Sequence, residues 1–328
     1  MFVNRSILIC WLALSCAIAG LGEATAQVYP TRPLTMVVPL APGGPLDTQA
    51  RILAERMRVS LGQPVIIENV TGAAGSVGTG RLARSAADGY TIGIGFIGTH
   101  VFNGAIYPLP YDVVKDFDPI AMTSTNPHVI ITRATMPAKN LGELIAWLKA
   151  NQDKGTAASA GAGSSTHVGA VLFQNLIGIK LPIIPYRGAA PALADVMAGQ
   201  IDLMVDLPSD CLQYLPSGRL KAYAVTAPTR LASAPDIPTV DEAGLQGFYM
   251  STWYGIWAPK DLPKAIHAKL NSALVEALAD PAVRRRFADL GLDIPPREQQ
   301  TPEALVAFQQ AEIAKWWPIV RAAGIKPE

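Results

Sequence analysis

Along the chain, short apolar runs alternate with stretches whose apolar residues recur every three or four positions. Residues 34–40, "LTMVVPL", are of strand type, while 46–61, "LDTQARILAERMRVSL", place Ala50, Leu53, Met57 and Leu61 on one helical face. "PVIIENV" and "YTIGIGF" (90–96) predict the next two strands. At residues 117–133, "FDPIAMTSTNPHVIITR", two strand-like runs flank "STNP", which suits a chain passing from one lobe to another. The alternation then restarts. "LGELIAWLKAN" reads as helix, "TAASA" as strand, "SSTHVGAVLFQNLIG" as helix and "LPIIPY" as strand. "APALADVMAG" is a helix closed by Gly199, and "IDLMVD" and "LKAYAVTA" (220–227) are strands. The tail is helical in "PKAIHAKLNSALVEALADP" and "TPEALVAFQQAEIAKWW". There Thr301 is the expected N-cap, Pro302 sits at the first helical position, and Pro318 is expected to break or kink the end. Alternation of this kind predicts βαβ units and mostly parallel sheet covered by helices, an α/β fold.

A coarse repeat lies on top of this pattern. Each half contains a strand, a glycine loop and a helix start: "VVPL-APGG-PLDTQAR" and "TAASA-GAG-SSTHVGAV". Two α/β lobes with such loops at their strand ends would face each other across a cleft. Glycine lets backbone approach a ligand with no Cβ in the way, and the helix start supplies free N–H groups and the positive dipole end. "APGGPLD" has this layout, with Asp47 available as N-cap or organiser. "GAGSSTH" has it too, with the hydroxyls of Ser164, Ser165 and Thr166, and "TGAAGSVGTG" (71–80) is a third such loop.

Composition then narrows the setting. Half of the 328 residues are hydrophobic and the formal net charge is +1, a globular balance that argues against a nucleic-acid partner. Arg284, Arg285 and Arg286 form the only tight basic run, which reads as a solvated helix face. "MFVNR", an apolar stretch and "ATA" at 24–26 read as a secretory signal peptide over residues 1–26, cleaved near Ala26. Its removal leaves Cys211 as the one cysteine, so an exported chain of this length relies on its core rather than on disulfides.

Which anion would the loops hold? None carries the lysine of a Walker A loop. "GIGFIG" (93–98) matches G-x-G-x-x-G, but the helix expected behind it is broken by Gly104 and Pro108. A small carboxylate suits neutral loops, because backbone amides and hydroxyls can satisfy its oxygens. Ser164, Ser165 and His167 with Asp202 or Asp206 sketch a hydrolytic triad, yet G-x-S-x-G is absent and Ser164 reads more simply as a cap. His100, His128, His167 and His267 are scattered without metal-ligand spacing, so no metal or cofactor is expected.

"YPTRPLTMVVPLAPGGPLDTQARILAERM", "ENVTGAAGSVGTGRLARSAADGYT", "GAGSSTHVGAVLF", "PYRGAAPALADVMAGQIDLM" and "STWYGIWAPKDLP", in this order, resemble the Bug family, the periplasmic receptors of tripartite tricarboxylate transporters. The resemblance runs from about Tyr29 to Lys326. It implies a two-lobed type II periplasmic binding-protein (Venus-flytrap) fold with two crossover strands. Residues 27–125 plus 228–328 would form lobe I and 126–227 lobe II. It further implies a monomer that captures a small carboxylate, a di- or tricarboxylate or an aromatic acid, for membrane transporter subunits. Carried over, the first-lobe contacts are Gly43, Gly44, Leu46 and Asp47, then Ala73, Ala74, Gly75 and Ser76, with Thr99 and His100 on the same side. The second-lobe contacts are Gly163, Ser164, Ser165, His167, Tyr186, Arg187 and Asp206. Pro45 has no N–H to give, and Leu46 is expected to make the pocket more apolar. An exported serine hydrolase acting on a carboxylate ester, and a receptor serving an ABC transporter or a signalling kinase, are the competing readings.

Overall fold

The computed structural model describes residues 29–161 and 163–325; the expected signal peptide at 1–26 lies outside them. The first lobe opens with β1 (Leu34–Val38), α1 (Pro45–Leu61), β2 (Val65–Asn69), α2 (Ser76–Ala83) and β3 (Thr91–Phe96). A π-helical turn, Gly98–Phe102, follows in place of the helix that "GIGFIG" would need, and β4 (Phe117–Pro127) leaves the lobe. The second lobe comprises β5 (Val129–Arg133), α3 (Leu141–Ala150), β6 (Ala157–Ser159), α4 (Ser165–Ile177) and β7 (Ile183–Pro185). It is completed by α5 (Ala189–Ala198), β8 (Leu203–Asp206) and β9 (Leu220–Val225). The chain returns through β10 (Ser251–Pro259) and ends in α6 (Lys264–Ala279), α7 (Pro281–Asp289) and α8 (Pro302–Ala322).

Two five-stranded sheets result, ordered β2-β1-β3-β10-β4 and β7-β6-β8-β5-β9. Within each, three strands from βαβ units run parallel, and the crossover strand lies antiparallel to its neighbours. The apolar stripe read along α1 is buried as expected: Ala50, Leu53, Met57 and Leu61 pack with β1, β3 and α6. Burying such a side chain contributes about 1.5–3 kcal/mol. The tail aromatics close a second first-lobe core, where Trp253, Trp257 and Trp316 meet Phe102 and Leu305.

Three sequence expectations need adjusting. "STNP" is no loop: β4 stays paired to β10 as far as Pro127, and the crossing falls at His128. The return crossing lies near Met250 rather than at 228. Leu231 and Ile237 pack in one second-lobe core and Val240 and Phe248 in the other, so 228–250 travels with that lobe. Pro318 does not end α8, which continues to Ala322 because Trp316 and Val320 are buried and Trp317 Nε1 donates to Val101 O at 2.9 Å.

The crossings are laced together. His128 N donates to Thr226 Oγ1 (2.8 Å), Thr226 N to His128 O (2.8 Å), and Thr226 Oγ1 to Met250 O (2.6 Å). Burial holds the His128 imidazole down at about 4, with only the Met250 carbonyl opposing, so this hinge is uncharged at neutral pH.

Candidate functional site

The carboxyl ends of β1 and β2 open into the two first-lobe loops, which touch. A Cβ on Gly75 would lie 2.8 Å from Thr99 Cγ2 and 3.3 Å from Pro39 Cβ, so only glycine permits this approach, and its φ of +89° demands glycine as well. In the first loop, Gly44 is the N-cap of α1 and Pro45 its first residue. Asp47 is the organiser rather than the cap. Its carboxylate accepts from Gly43 N (2.9 Å), from Arg51 Nε (2.9 Å) and Nη2 (3.0 Å), and from Asn69 Nδ2 (3.0 Å). Burial would raise this carboxyl, but the bonds from Arg51, Gly43 and Asn69 outweigh it and hold Asp47 at about 2.

This arrangement sorts the expected contacts. The Gly43 N–H is occupied by Asp47, whereas the N–H groups of Gly44, Leu46 and Asp47 take no partner among the described residues. The Leu46 side chain is 2% exposed and sits in the first-lobe core, so it does not line the cleft; only its N–H faces the helix start. The expected apolar contribution of Leu46 to the pocket is therefore withdrawn.

The second loop is a run of left-handed residues: Ala73 (φ 45°), Ala74 (φ 50°) and Gly75 (φ 89°). Left-handed backbone costs an alanine about 1–2 kcal/mol, and such turns aim successive N–H groups into one concavity. Asn103 holds the loop, donating from Nδ2 to Ala74 O and Ser76 Oγ, both at 3.0 Å. The N–H groups of Ala73 and Ala74 have no partner among the described residues, whereas Ser76 N–H donates back to Ala73 O. Thr99 and His100 stand behind this loop instead of lining it. Thr99 Oγ1 caps the end of β3 through Phe96, and His100, 2% exposed, stacks on Trp257 at 3.7 Å. Burial drops its imidazole to about 3.

Across the cleft, Ser164 caps α4: Ser164 Oγ accepts from His167 N (3.2 Å) and donates to Gly161 O (2.7 Å). His167 Nδ1 accepts from Gly163 N at 3.3 Å. The N–H groups of Ser165 and Thr166 remain without partners among the described residues. The next loop lies alongside, since Tyr186 N donates to Ser159 O and Gly188 N to Ala160 O. Tyr186 OH donates to Asp195 at 2.6 Å, and burial together with that carboxylate pushes the phenol up to about 12. Arg187 is exposed between these loops and forms no ion pair among the described residues. The two lobes approach here: a Cβ on Gly163 would lie 2.8 Å from Ile106 Cδ1 of the first lobe.

Asp206 ends β8, fully buried, and neither of its oxygens completes a hydrogen bond at proper geometry. Burial raises it strongly, the neighbouring Asp210 adds to this, and the Leu207 N–H offsets it only in part. Sequence reading passed over Asp210, Asn69 and Asn103. Asp210 falls in a one-turn helix, Pro208–Cys211, behind the strand, and nothing in "LPSDC" shows that the turn faces the other lobe.

The chain matches the model of the "Tripartite tricarboxylate transporter family receptor" over residues 49–325. It is 40% identical to the periplasmic binding protein BugD, whose structure superposes with a TM-score of 0.80 over 92% of this chain and all of that one. It is 39% identical to MatC from Rhodopseudomonas palustris, solved with bound malate (TM-score 0.79, 89% and 100% covered). It is 29% identical to R. palustris Rpa4515, solved with adipate (TM-score 0.81, 92% and 100% covered). The two-lobed architecture, the paired glycine loops and a family match across most of the chain lead to one statement: this chain belongs to the receptor family of the tripartite tricarboxylate transporters.

Proposed function

We propose that the protein is a periplasmic receptor that closes over a small carboxylate and hands it to the membrane subunits of a tripartite transporter. The observation that carries this reading is the set of free backbone N–H groups at the starts of α1 and α4 and in the turn before α2, on loops of both lobes that meet at the cleft. Each can donate to a carboxylate oxygen without a buried countercharge, and each helix start adds its dipole. The N–H groups of Gly44, Leu46, Ala73 and Ala74 hold one end of the ligand from the first lobe. Ser165, Thr166 and Arg187 meet the other end from the second. Closure is favoured because the closed form alone offers both halves of the contacts. The malate and adipate bound by MatC and Rpa4515 support a carboxylate of four to six carbons.

Titration of the purified protein with linear diacids in a thermal melt tests this. A ligand at one hundred times its Kd stabilises by about 2.7 kcal/mol, which raises Tm by roughly 5 °C in a protein of this size. Unchanged Tm across malate, adipate and their homologues, with no acid released on denaturation, would refute it.

A further inference from the structure

The first lobe carries an apolar groove beside the cleft rather than in it. Two cavities, of about 430 and 340 Å³, meet there at a ridge that both share, Tyr107 and Leu109. Trp317 and Ile313 of α8 floor one side, and Val77 of α2 floors the other together with Pro108 and Pro110. Val77 is 49% exposed and both prolines are exposed, so the described chain leaves this surface in water. An exposed apolar patch with a polar rim marks an interaction site, because covering it removes apolar area from water.

The rim is cationic. Arg84 borders the Val77 side, and the Arg321 guanidinium lies 4.9 Å from the centre of the Trp317 ring. Both are exposed, and neither forms an ion pair among the described residues. The acid on this rim, Asp112, is already answered by Lys115 at 3.5 Å. A complementary surface therefore brings an apolar face and an acidic side chain. Aromatic residues and arginines are the usual anchors of such contacts.

The attachments of the groove say what that surface belongs to. Its ridge follows directly on the helical turn Asn103–Ile106. Asn103 holds Ala74 O of the first-lobe ligand loop, and Ile106 Cδ1 lies 2.8 Å from where a Cβ on Gly163 of the second lobe would stand. The Val77 side begins at Ala73 and Ser76 of that same first-lobe loop. One short segment thus touches a ligand loop of each lobe and presents the ridge outside. Opening the lobes would withdraw Gly163 from Ile106 and leave the ridge without that support. A partner seated on the ridge therefore meets different surfaces on the closed and open receptor, the condition for telling one from the other.

We infer that this groove is where a membrane subunit of the transporter docks, through a segment with an apolar face and an acidic side chain that reaches Arg84. This rests on the carboxylate-receptor reading and adds to it the surface through which the ligand is handed on.

Uptake and binding measured side by side test it. Cells whose own copy of the gene is deleted carry the wild type, Val77→Asn, Leu109→Asn, Arg84→Gln or Arg84→Lys and are given labelled malate or adipate. The same purified proteins are titrated with these acids by calorimetry. Val77→Asn, Leu109→Asn and Arg84→Gln should each cut uptake about ten-fold or more, the loss expected of an interface anchor, while Kd stays within about two-fold. The retained Kd shows that the variants fold. Arg84→Lys keeps the charge and should keep most of the uptake. A benzoylphenylalanine photo-crosslinker in place of Leu109 should join the receptor to a membrane subunit, with more adduct when the acid is present. Unchanged uptake in the three variants overturns the inference. An adduct with a second receptor copy overturns it too, since this face would then be a contact between copies. So does a Kd that weakens in step with uptake, which would put the groove in the ligand site. In these cases the receptor reading stands, because a carboxylate still binds. Absence of both binding and uptake of malate and adipate in the wild type would instead strike the receptor reading, and this inference with it.

Discussion

Asp47→Asn is the substitution whose consequences can be worked furthest. Oδ2 of the carboxylate accepts from Gly43 N and Arg51 Nε, and Oδ1 from Arg51 Nη2 and Asn69 Nδ2. Asparagine keeps one oxygen but turns an amide toward donors on the other side, and the ion pair is lost. Displacement of the carboxyl from 3.8 to about 2 is worth about 2.5 kcal/mol to the folded state. The Arg51 side chain is 53% exposed, so solvent screening reduces this to about 1–2 kcal/mol. The sign follows from linkage. The folded carboxyl is the stronger acid, so its contribution is complete above pH 3.8 and is lost as pH falls through about 2. Urea unfolding of both proteins should show a gap of about 1–2 kcal/mol at pH 7 that narrows to roughly half by pH 3. Diacid affinity should fall as well, since Gly43 N–H is released and the loop loses its anchor. Equal stability at pH 7, or a gap that stays constant down to pH 3, would refute the assignment of Asp47 as an ionised organiser of the loop.

Other substitutions probe the remaining parts. Arg187→Ala should weaken diacids about ten-fold or more while leaving monoacids within about two-fold, because an ion pair to a second carboxylate is worth about 1.5–3 kcal/mol; calorimetry with adipate and hexanoate reads this, and parallel losses would remove Arg187 from the site. Ala74→Gly relieves a left-handed alanine worth about 1–2 kcal/mol against about 0.5–1 kcal/mol of added chain entropy. Its melting temperature should rise slightly while ligand binding weakens, and a lower Tm would count against the strain. Ser164→Ala removes the α4 cap and should cost about 1 kcal/mol, measured by urea unfolding. Burial depresses His100 and His128 below 6.5, to about 3 and about 4, so the stability they confer is full above pH 6.5 and falls as the pH drops through those values. Unfolding free energy should therefore decline from pH 6.5 to 4, and His128→Gln should flatten part of that slope.

Much of this was legible in the sequence because the forces involved are local. The apolar stripe of α1, the Ser164 and Thr301 caps and the glycine loops depend on neighbours within one or two turns, and the structure keeps all of them. What stayed hidden depends on contacts distant in the chain. Asn69 reaches Asp47 from another strand, Asn103 props the 72–76 loop, and burial by Trp257 takes His100 out of the cleft. The left-handed Ala73 and Ala74 could not be read from residue type, since alanine carries no preference for that region and the surrounding fold imposes it. The return crossing moved from 228 to about 250 for a similar reason. "PTRLASAPDIPT" lacks periodicity, and only the second-lobe cores reveal where its leucine and isoleucine belong.

The same division separates the two ends of the cleft chemically. On the loop side every free group that faces the ligand is a backbone donor whose direction is set by a helix start, so substitutions there should alter affinity more than selectivity. On the far side the reading proposed above gives selectivity to a side chain, Arg187, which is exposed and forms no ion pair among the described residues. A backbone cradle would recognise a carboxylate as such, and the charge beyond it would choose among carboxylates. Selectivity should therefore follow that side chain: loss of Arg187 penalises a second acid group more than a single one. A receptor in which Arg187→Ala weakened all acids equally would place the discrimination in the cradle itself.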